Sequence, residues 1–147
     1  MEAHIFRQKE NSQIEFLLLK RAHGEKYANV WQMVTGSIKE NEKAYETALR
    51  EIKEETGLTP VNFWVVPNVN SFYDPAEDLI CEVPVFAAEV DADISVKISG
   101  EHSEYKWVDL DTARKLLAWK GQRISVETIH EYFTKEKSFL KFVEIKI

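Results

Sequence analysis

The sequence predicts an α+β fold with a mixed sheet held between helices. Three observations carry this: short strand-like apolar runs dominate, three stretches carry helical spacing, and the two kinds do not alternate regularly. The 147 residues suit one domain, 1–147, and 44% hydrophobic residues suffice for a core. In chain order, Ile5–Gln8 reads as a short, rather polar strand, and Gln8–Gln13 as a hairpin turn. Glu15–Arg21 is a buried strand by its apolar run, and Ala22–Asn29 a polar loop. Val30–Val34 is strand-like and runs into Thr35 and Gly36. From Glu42 to Glu55 the period changes: Tyr45, Ala48, Leu49 and Ile52 form one helical stripe, with Gly57 and Pro60 as stop signals. Val61–Phe72 and Leu79–Val90 are longer strands split by the turn signal Asp74-Pro75. Ile94–Ile98 and Tyr105–Val108 read as short strands, and Asp109–Trp119 and Ser125–Lys137 as helices.

Charge excludes some functions. With 19 Lys and Arg against 25 Asp and Glu, the formal net charge is −6. Affinity for polyphosphate polymers comes mainly from basic side chains, so neither a nucleic-acid polymer nor a membrane surface is the expected partner. The lone cysteine, Cys81, has no partner for an internal disulfide and reads as a small buried hydrophobe. No apolar run reaches the roughly 18 residues of a membrane span, and the N-terminal residues lack a signal-peptide core. The expectation is a soluble, cytoplasmic protein, monomer or homodimer.

The acidity has a pattern between Gly36 and Leu58. Glu51, Glu54 and Glu55 are neighbours on one face of the helix, away from the apolar stripe. Like charges on neighbouring turns repel, and carboxylates near a helix C-terminus oppose its dipole. A divalent cation among them removes both penalties, and hard oxygen donors select Mg²⁺, Mn²⁺ or Ca²⁺ rather than zinc. Arg50 lies beside Glu51 and one turn from Glu46 and Glu54, where it can orient carboxylates.

The segment 36–58 resembles the Nudix box, Gly-x5-Glu-x7-Arg-Glu-aliphatic-x-Glu-Glu-x-Gly-aliphatic. It matches at Gly36, Glu42, Arg50, Glu51, Ile52, Glu54, Glu55, Gly57 and Leu58. A chance match of the seven invariant letters is on the order of 10⁻⁸ per starting position. The resemblance implies an α/β/α sandwich with the box as a loop–helix–loop, and hydrolysis of a nucleoside diphosphate linked to another group. It implies metal ligands at Glu51, Glu54, Glu55 and the Gly36 carbonyl. It also implies a carboxylate-orienting role for Arg50 and a structural or salt-bridging one for Glu42.

Two flanking segments, Trp31-Gln32-Met33-Val34-Thr35-Gly36-Ser37 and Glu101-His102-Ser103-Glu104-Tyr105-Lys106-Trp107, are similar to the dihydroneopterin triphosphate and dATP pyrophosphohydrolase branch. That likeness implies a further metal ligand or general base at Glu101, with Glu54 the alternative base. It implies substrate contacts at Arg21 and Thr35, and near Trp119. Trp31 could stack on a base or belong to the core, His102 could serve the site or the fold, and Tyr73 could stack or end a strand. His4, His23 and His130 stand alone and are assigned nothing. The leading expectation is a Mg²⁺-dependent pyrophosphohydrolase (Mn²⁺ being possible) releasing a monophosphate and pyrophosphate from a small nucleoside-triphosphate-like substrate. The alternatives are an asymmetric dinucleoside polyphosphate hydrolase, whose branch carries a similar Glu-His segment, and a non-catalytic nucleotide-sensing domain.

Overall fold

The computed structural model describes residues 1–147. Seven strands form one sheet: β1 (Glu2–Gln8), β2 (Ile14–Arg21), β3 (Trp31–Gln32), β4 (Val34–Thr35), β5 (Asn62–Asp74), β6 (Leu79–Glu89) and β7 (His102–Val108). The main order is β3-β2-β1-β6-β5, with β4 paired to β1 and β7 to β2. Only the central β1–β6 pair is parallel, so the sheet is mixed as expected. Alternation along the strands splits the core. Ala3, Ile5, Leu17 and Leu19 pack with Ala48 and Ile52 of α1 (Ala44–Thr56). Phe6, Phe16 and Leu18 pack on the other side with Ala113 of α2 (Leu110–Leu116) and Val126, Ile129 and Phe133 of α3 (Lys120–Thr134). Helices therefore cover both faces of the sheet. A 3-10 helix follows at Lys137–Phe142.

Several boundaries differ from the sequence reading, each for a local reason. The first strand is neither short nor polar: it spans seven residues, and its segment from Ala3 to Phe6 is buried at the centre of the sheet. The Ile94–Ile98 strand does not form. That segment instead lies across the end of α1, where Lys97 N donates to Thr56 O (2.9 Å) and Ser99 N to Glu55 O (2.9 Å). Carbonyls in the last turn of a helix lack internal partners, and these amides supply them. Ile94, Val96 and Ile98 meanwhile pack against the core on the α1 side. The helix expected from Asp109 is shorter, with Asp109 as its cap accepting from Thr112 N at 2.8 Å. The last long helix starts earlier, at Lys120, and stops at Thr134, so Trp119 becomes its N-cap. Cys81 is only half-buried, because the outer part of the β5–β6 ribbon extends beyond the β1 pairing.

α1 is fixed at both ends. The Glu46 carboxylate accepts from Lys43 N at 2.9 Å, tying down the first turn. Gly57 closes the helix in the left-handed region, φ 70°, with its N–H on Lys53 O at 3.0 Å. No helix is long and apolar enough to cross a membrane.

Candidate active site

The box carboxylates are organised by one guanidinium. Arg50 donates through Nε to Glu42 Oε1 (2.8 Å) and through Nη2 to Glu42 Oε2 (3.0 Å). Its Nη1 donates to Glu51 Oε1 (2.7 Å) and Glu54 Oε2 (3.2 Å). Forked guanidinium–carboxylate pairs are both strong and directional. Glu42 also accepts from Thr47 Oγ1 (2.8 Å) and Lys39 N (3.2 Å), which ties the loop before α1 to the helix.

Hydrogen bonding to Arg50 holds the Glu42 carboxyl at about 2, below its ordinary 4.5. A depressed carboxyl adds stability that is full above the unfolded value and lost as pH falls through the folded one. Solvent screening keeps the effect small. Wild type is therefore expected to melt above Glu42→Gln by the same margin at pH 6 and 7, and by a shrinking margin from about pH 4.5 toward 2. Melting curves across that range check this, and a margin independent of pH would refute the pairing.

Glu51 leans on Gly36. A Cβ built on Gly36 would lie 2.4 Å from Glu51 Cγ and 2.6 Å from its Oε1, so only glycine leaves that carboxylate in place. The Gly36 carbonyl accepts from the Met1 amine at 2.8 Å. Burial lowers the pKa of that amine, and the charges of Glu2 and Glu51 only partly oppose the fall.

Glu55 is the buried member. A 2.7 Å hydrogen bond joins its Oε2 to His102 Nε2, and both side chains are at least 95% buried. Burial pushes the Glu55 carboxyl up, the His102 bond opposes the rise, and the charges of Glu101 and Glu51 add to it. Glu101, exposed on the loop before β7, therefore shares an electrostatic environment with the box. Its backbone carbonyl accepts from Ala22 N at 2.8 Å, and the next residue, His102, pairs with Arg21 across β2–β7.

Arg21 is half-buried at the end of β2. Its Nη1 donates to Gln32 Oε1 (3.3 Å), its Nη2 reaches Glu25 (3.4 Å), and its Nε has no partner. Thr35 is half-buried on β4, opposite Glu2 of β1. Trp31 packs partly against the core, with Lys106 Nζ 4.8 Å and Lys20 Nζ 5.7 Å from its ring centroid. Trp119 is 41% exposed and meets Tyr27 edge-on at 5.3 Å. Tyr73 lies far out on the β5–β6 ribbon, its hydroxyl on Asp78 at 2.9 Å, and ends a strand. Arg7 is tied to Glu15 (2.8 Å) and covers the Trp107 ring at 4.3 Å.

Sequence reading missed four buried or half-buried polar residues opposite α1: Glu2, His4, Asn70 and Gln122. The available signal was weak. Asn is depleted in strands, yet Asn68 and Asn70 both sit within β5.

The donors around α1 suit a hard divalent cation: carboxylates and a backbone carbonyl, with no thiol among them. No three His, Cys, Asp or Glu side chains converge so that together they could hold a metal ion. An open arrangement fits a cation whose remaining ligands come from substrate phosphates and water, as Mg²⁺ prefers. The donor chemistry fits the group, although the side chains do not converge on one point.

A carboxylate helix on a mixed sheet flanked by helices defines the class of protein, a Nudix hydrolase. The NUDIX domain family matches residues 3–129, and the chain belongs to it. It is 30% identical over 131 residues to the bis(5'-nucleosyl)-tetraphosphatase [asymmetrical] of Mus musculus, covering 88% of this chain and 87% of the relative. Among solved structures, a NUDIX hydrolase from Listeria monocytogenes superposes with TM-score 0.78 at 25% identity, covering 92% and 93% of the two chains. An Ap4A hydrolase binary complex from C. elegans superposes with TM-score 0.71 at 23% identity, covering 89% and 95%.

Proposed function

We propose that this Nudix hydrolase cleaves a dinucleoside polyphosphate asymmetrically, using a divalent cation held by the α1 glutamates. The observation that carries this reading is the 30% identity, spread over most of both chains, to a bis(5'-nucleosyl)-tetraphosphatase. The second reading, a pterin or dNTP pyrophosphohydrolase, is favoured by the Trp31–Ser37 and Glu101–Trp107 segments.

The proposed ligands are Glu51, Glu54, Glu55, Glu101 and the Gly36 carbonyl. Bound there, Mg²⁺ or Mn²⁺ supplies charge neutralisation for the polyphosphate and acidifies a water. Arg50 keeps Glu51 and Glu54 in fixed positions, and His102 does so for Glu55. Arg21 is the proposed phosphate contact, through the guanidinium end that meets Glu25 only at 3.4 Å. Thr35, Trp31 and Trp119 are the proposed nucleoside contacts.

Glu101 receives the proton of the attacking water at its carboxylate. Positioned general bases contribute about 10²–10⁴-fold. Glu101→Gln is therefore expected to lower kcat by that order. An unchanged kcat would leave Glu54 as the base.

The function is tested by incubating the protein and Mg²⁺ with Ap4A, dihydroneopterin triphosphate, dNTPs, nucleotide sugars and a 5'-triphosphorylated RNA oligonucleotide, then identifying products by chromatography. Ap4A cleaved to ATP and AMP supports the first reading. Turnover of dihydroneopterin triphosphate or a dNTP with Ap4A inert replaces it by the second.

A further inference from the structure

β5 is the last strand of the sheet, and the two halves of its outer edge differ. The inner half is covered by the chain itself. Val65 N donates to Val143 O (2.9 Å), Ile145 N donates to Phe63 O (2.8 Å), and Trp64 bridges to Glu144. From Asn68 to Asp74 the strand has β6 on one side and no strand on the other. An open edge is a template for a further strand, and folds blunt it with a charge, a proline or a bulge. In β5 the proline, Pro67, and the shift of register both fall before Val69. The run Val69-Asn70-Ser71-Phe72-Tyr73 has neither, and no charge.

This half of the β5–β6 ribbon is also apolar and uncovered. It projects past the Glu2–Val85 pair where the β1 pairing ends. Val69 is 59% exposed, Phe72 54%, Tyr73 58%, Leu79 55% and Ile80 74%. Together they present on the order of 500 Å² of apolar surface, comparable with the largest patch of an ordinary monomer. A stable interface needs about 800 Å² from each partner. The ribbon supplies most of that. Phe139 (51% exposed) and Phe142 (74% exposed) extend it, on the 3-10 helix that leads into the covered half of the edge.

Charge indicates what completes the edge. The tip of the ribbon is acidic, with Asp74, Glu77 and Asp78, and β5 and β6 contain no Lys or Arg. The 3-10 helix presents Lys137 and Lys141, both exposed. Within one chain the tip and these lysines belong to opposite ends of the open edge, roughly 20–30 Å apart along the strand. Two antiparallel copies of that edge, related by a two-fold axis near Ser71, bring each acidic tip to the other copy's lysines.

We propose that the open half of β5 pairs with the same strand of a second copy, making a homodimer whose sheet runs continuously across a two-fold axis. Asn68–Asp74 of one chain lie antiparallel to the same residues of the other. Val69, Phe72 and Tyr73 leave water at the new pair, and Asp74 and Glu77 of each tip meet Lys137 and Lys141 across it.

Sedimentation equilibrium of the full chain, from roughly 1 to 500 μM, tests this. The mass is expected to rise with concentration from the 17.1 kDa of one chain to twice that value. Val69→Lys puts a charge on the edge at an exposed position. It should weaken the dimer about tenfold or more, with the melting temperature of the dilute chain unchanged. Glu77→Lys and Lys141→Glu should each weaken it by roughly 5–10-fold, because each change occurs twice in a two-fold dimer. Combined, they restore the pairing with its signs reversed and recover most of the wild-type affinity. A chain that stays monomeric at every concentration overturns the proposal, as does a dimer untouched by Val69→Lys. Losses that simply add in the combined charge variant mean that tip and lysines do not meet, and overturn the two-fold arrangement.

Discussion

Glu54→Gln is expected to lower kcat by about 10³-fold or more while the protein melts within a degree or two of wild type. The two halves of this expectation have separate causes. The Glu54 side chain is 56% exposed, and its one ion pair is the 3.2 Å contact to Arg50 at i,i+4 spacing. Exposed pairs of this kind contribute about 0–1 kcal/mol, so the fold loses little. Gln keeps the shape but removes the charge that the proposed cation needs. Changing residues that only support metal ligands commonly costs about 10–100-fold, and losing a ligand costs more. Glu55→Gln is the less clean probe, because Glu55 is buried against His102 at 2.7 Å and its loss disturbs packing as well. A Glu54→Gln enzyme within threefold of wild type would remove Glu54 from the reaction.

Gly36→Ala should give a comparable loss from a residue with no side chain. The added Cβ would lie 2.4–2.6 Å from Glu51 Cγ, Cδ and Oε1, inside any real contact distance. The clash falls on the far end of a flexible side chain, so Glu51 swings away and the fold survives. What is lost is the placement of a carboxylate already gripped by Arg50 at 2.7 Å. Misplacing a reacting group by about 1 Å costs on the order of 10²-fold. Gly100→Ala is the matched control, since a Cβ there meets nothing within 4 Å. Activity measured beside circular dichroism separates the outcomes: full activity in Gly36→Ala would mean that Glu51 works from another position.

The α1 region was legible because its information is local. Helical spacing alone brings Glu51 and Glu54 onto Arg50, and Gly57 marks the stop at the residue where the left-handed φ occurs. Strands β5 and β6 were legible for the same reason, as apolar runs around one turn. The Ile94–Ile98 segment misled because its alternating apolar residues do pack, but its amides serve the end of α1 rather than a neighbouring strand. The first strand looked short because its burial comes from being flanked by β2, β4 and β6, which no local pattern reports. His102 against Glu55 joins residues 47 apart, and Glu2 with Asn70 joins residues 68 apart. Contacts at that separation are created by the sheet order, so their partners could not be read from spacing.

The most direct test of a metal-dependent anhydride hydrolase on the α1 glutamates is a product assay. Wild type and Glu54→Gln are each incubated with Ap4A, dihydroneopterin triphosphate and the dNTPs, with Mg²⁺ or with chelator. The predicted result is cleavage of a phosphoanhydride bond by wild type with Mg²⁺, abolished by chelator and by Glu54→Gln alike. Turnover that persists in chelator, or equal turnover in folded Glu54→Gln, would contradict it.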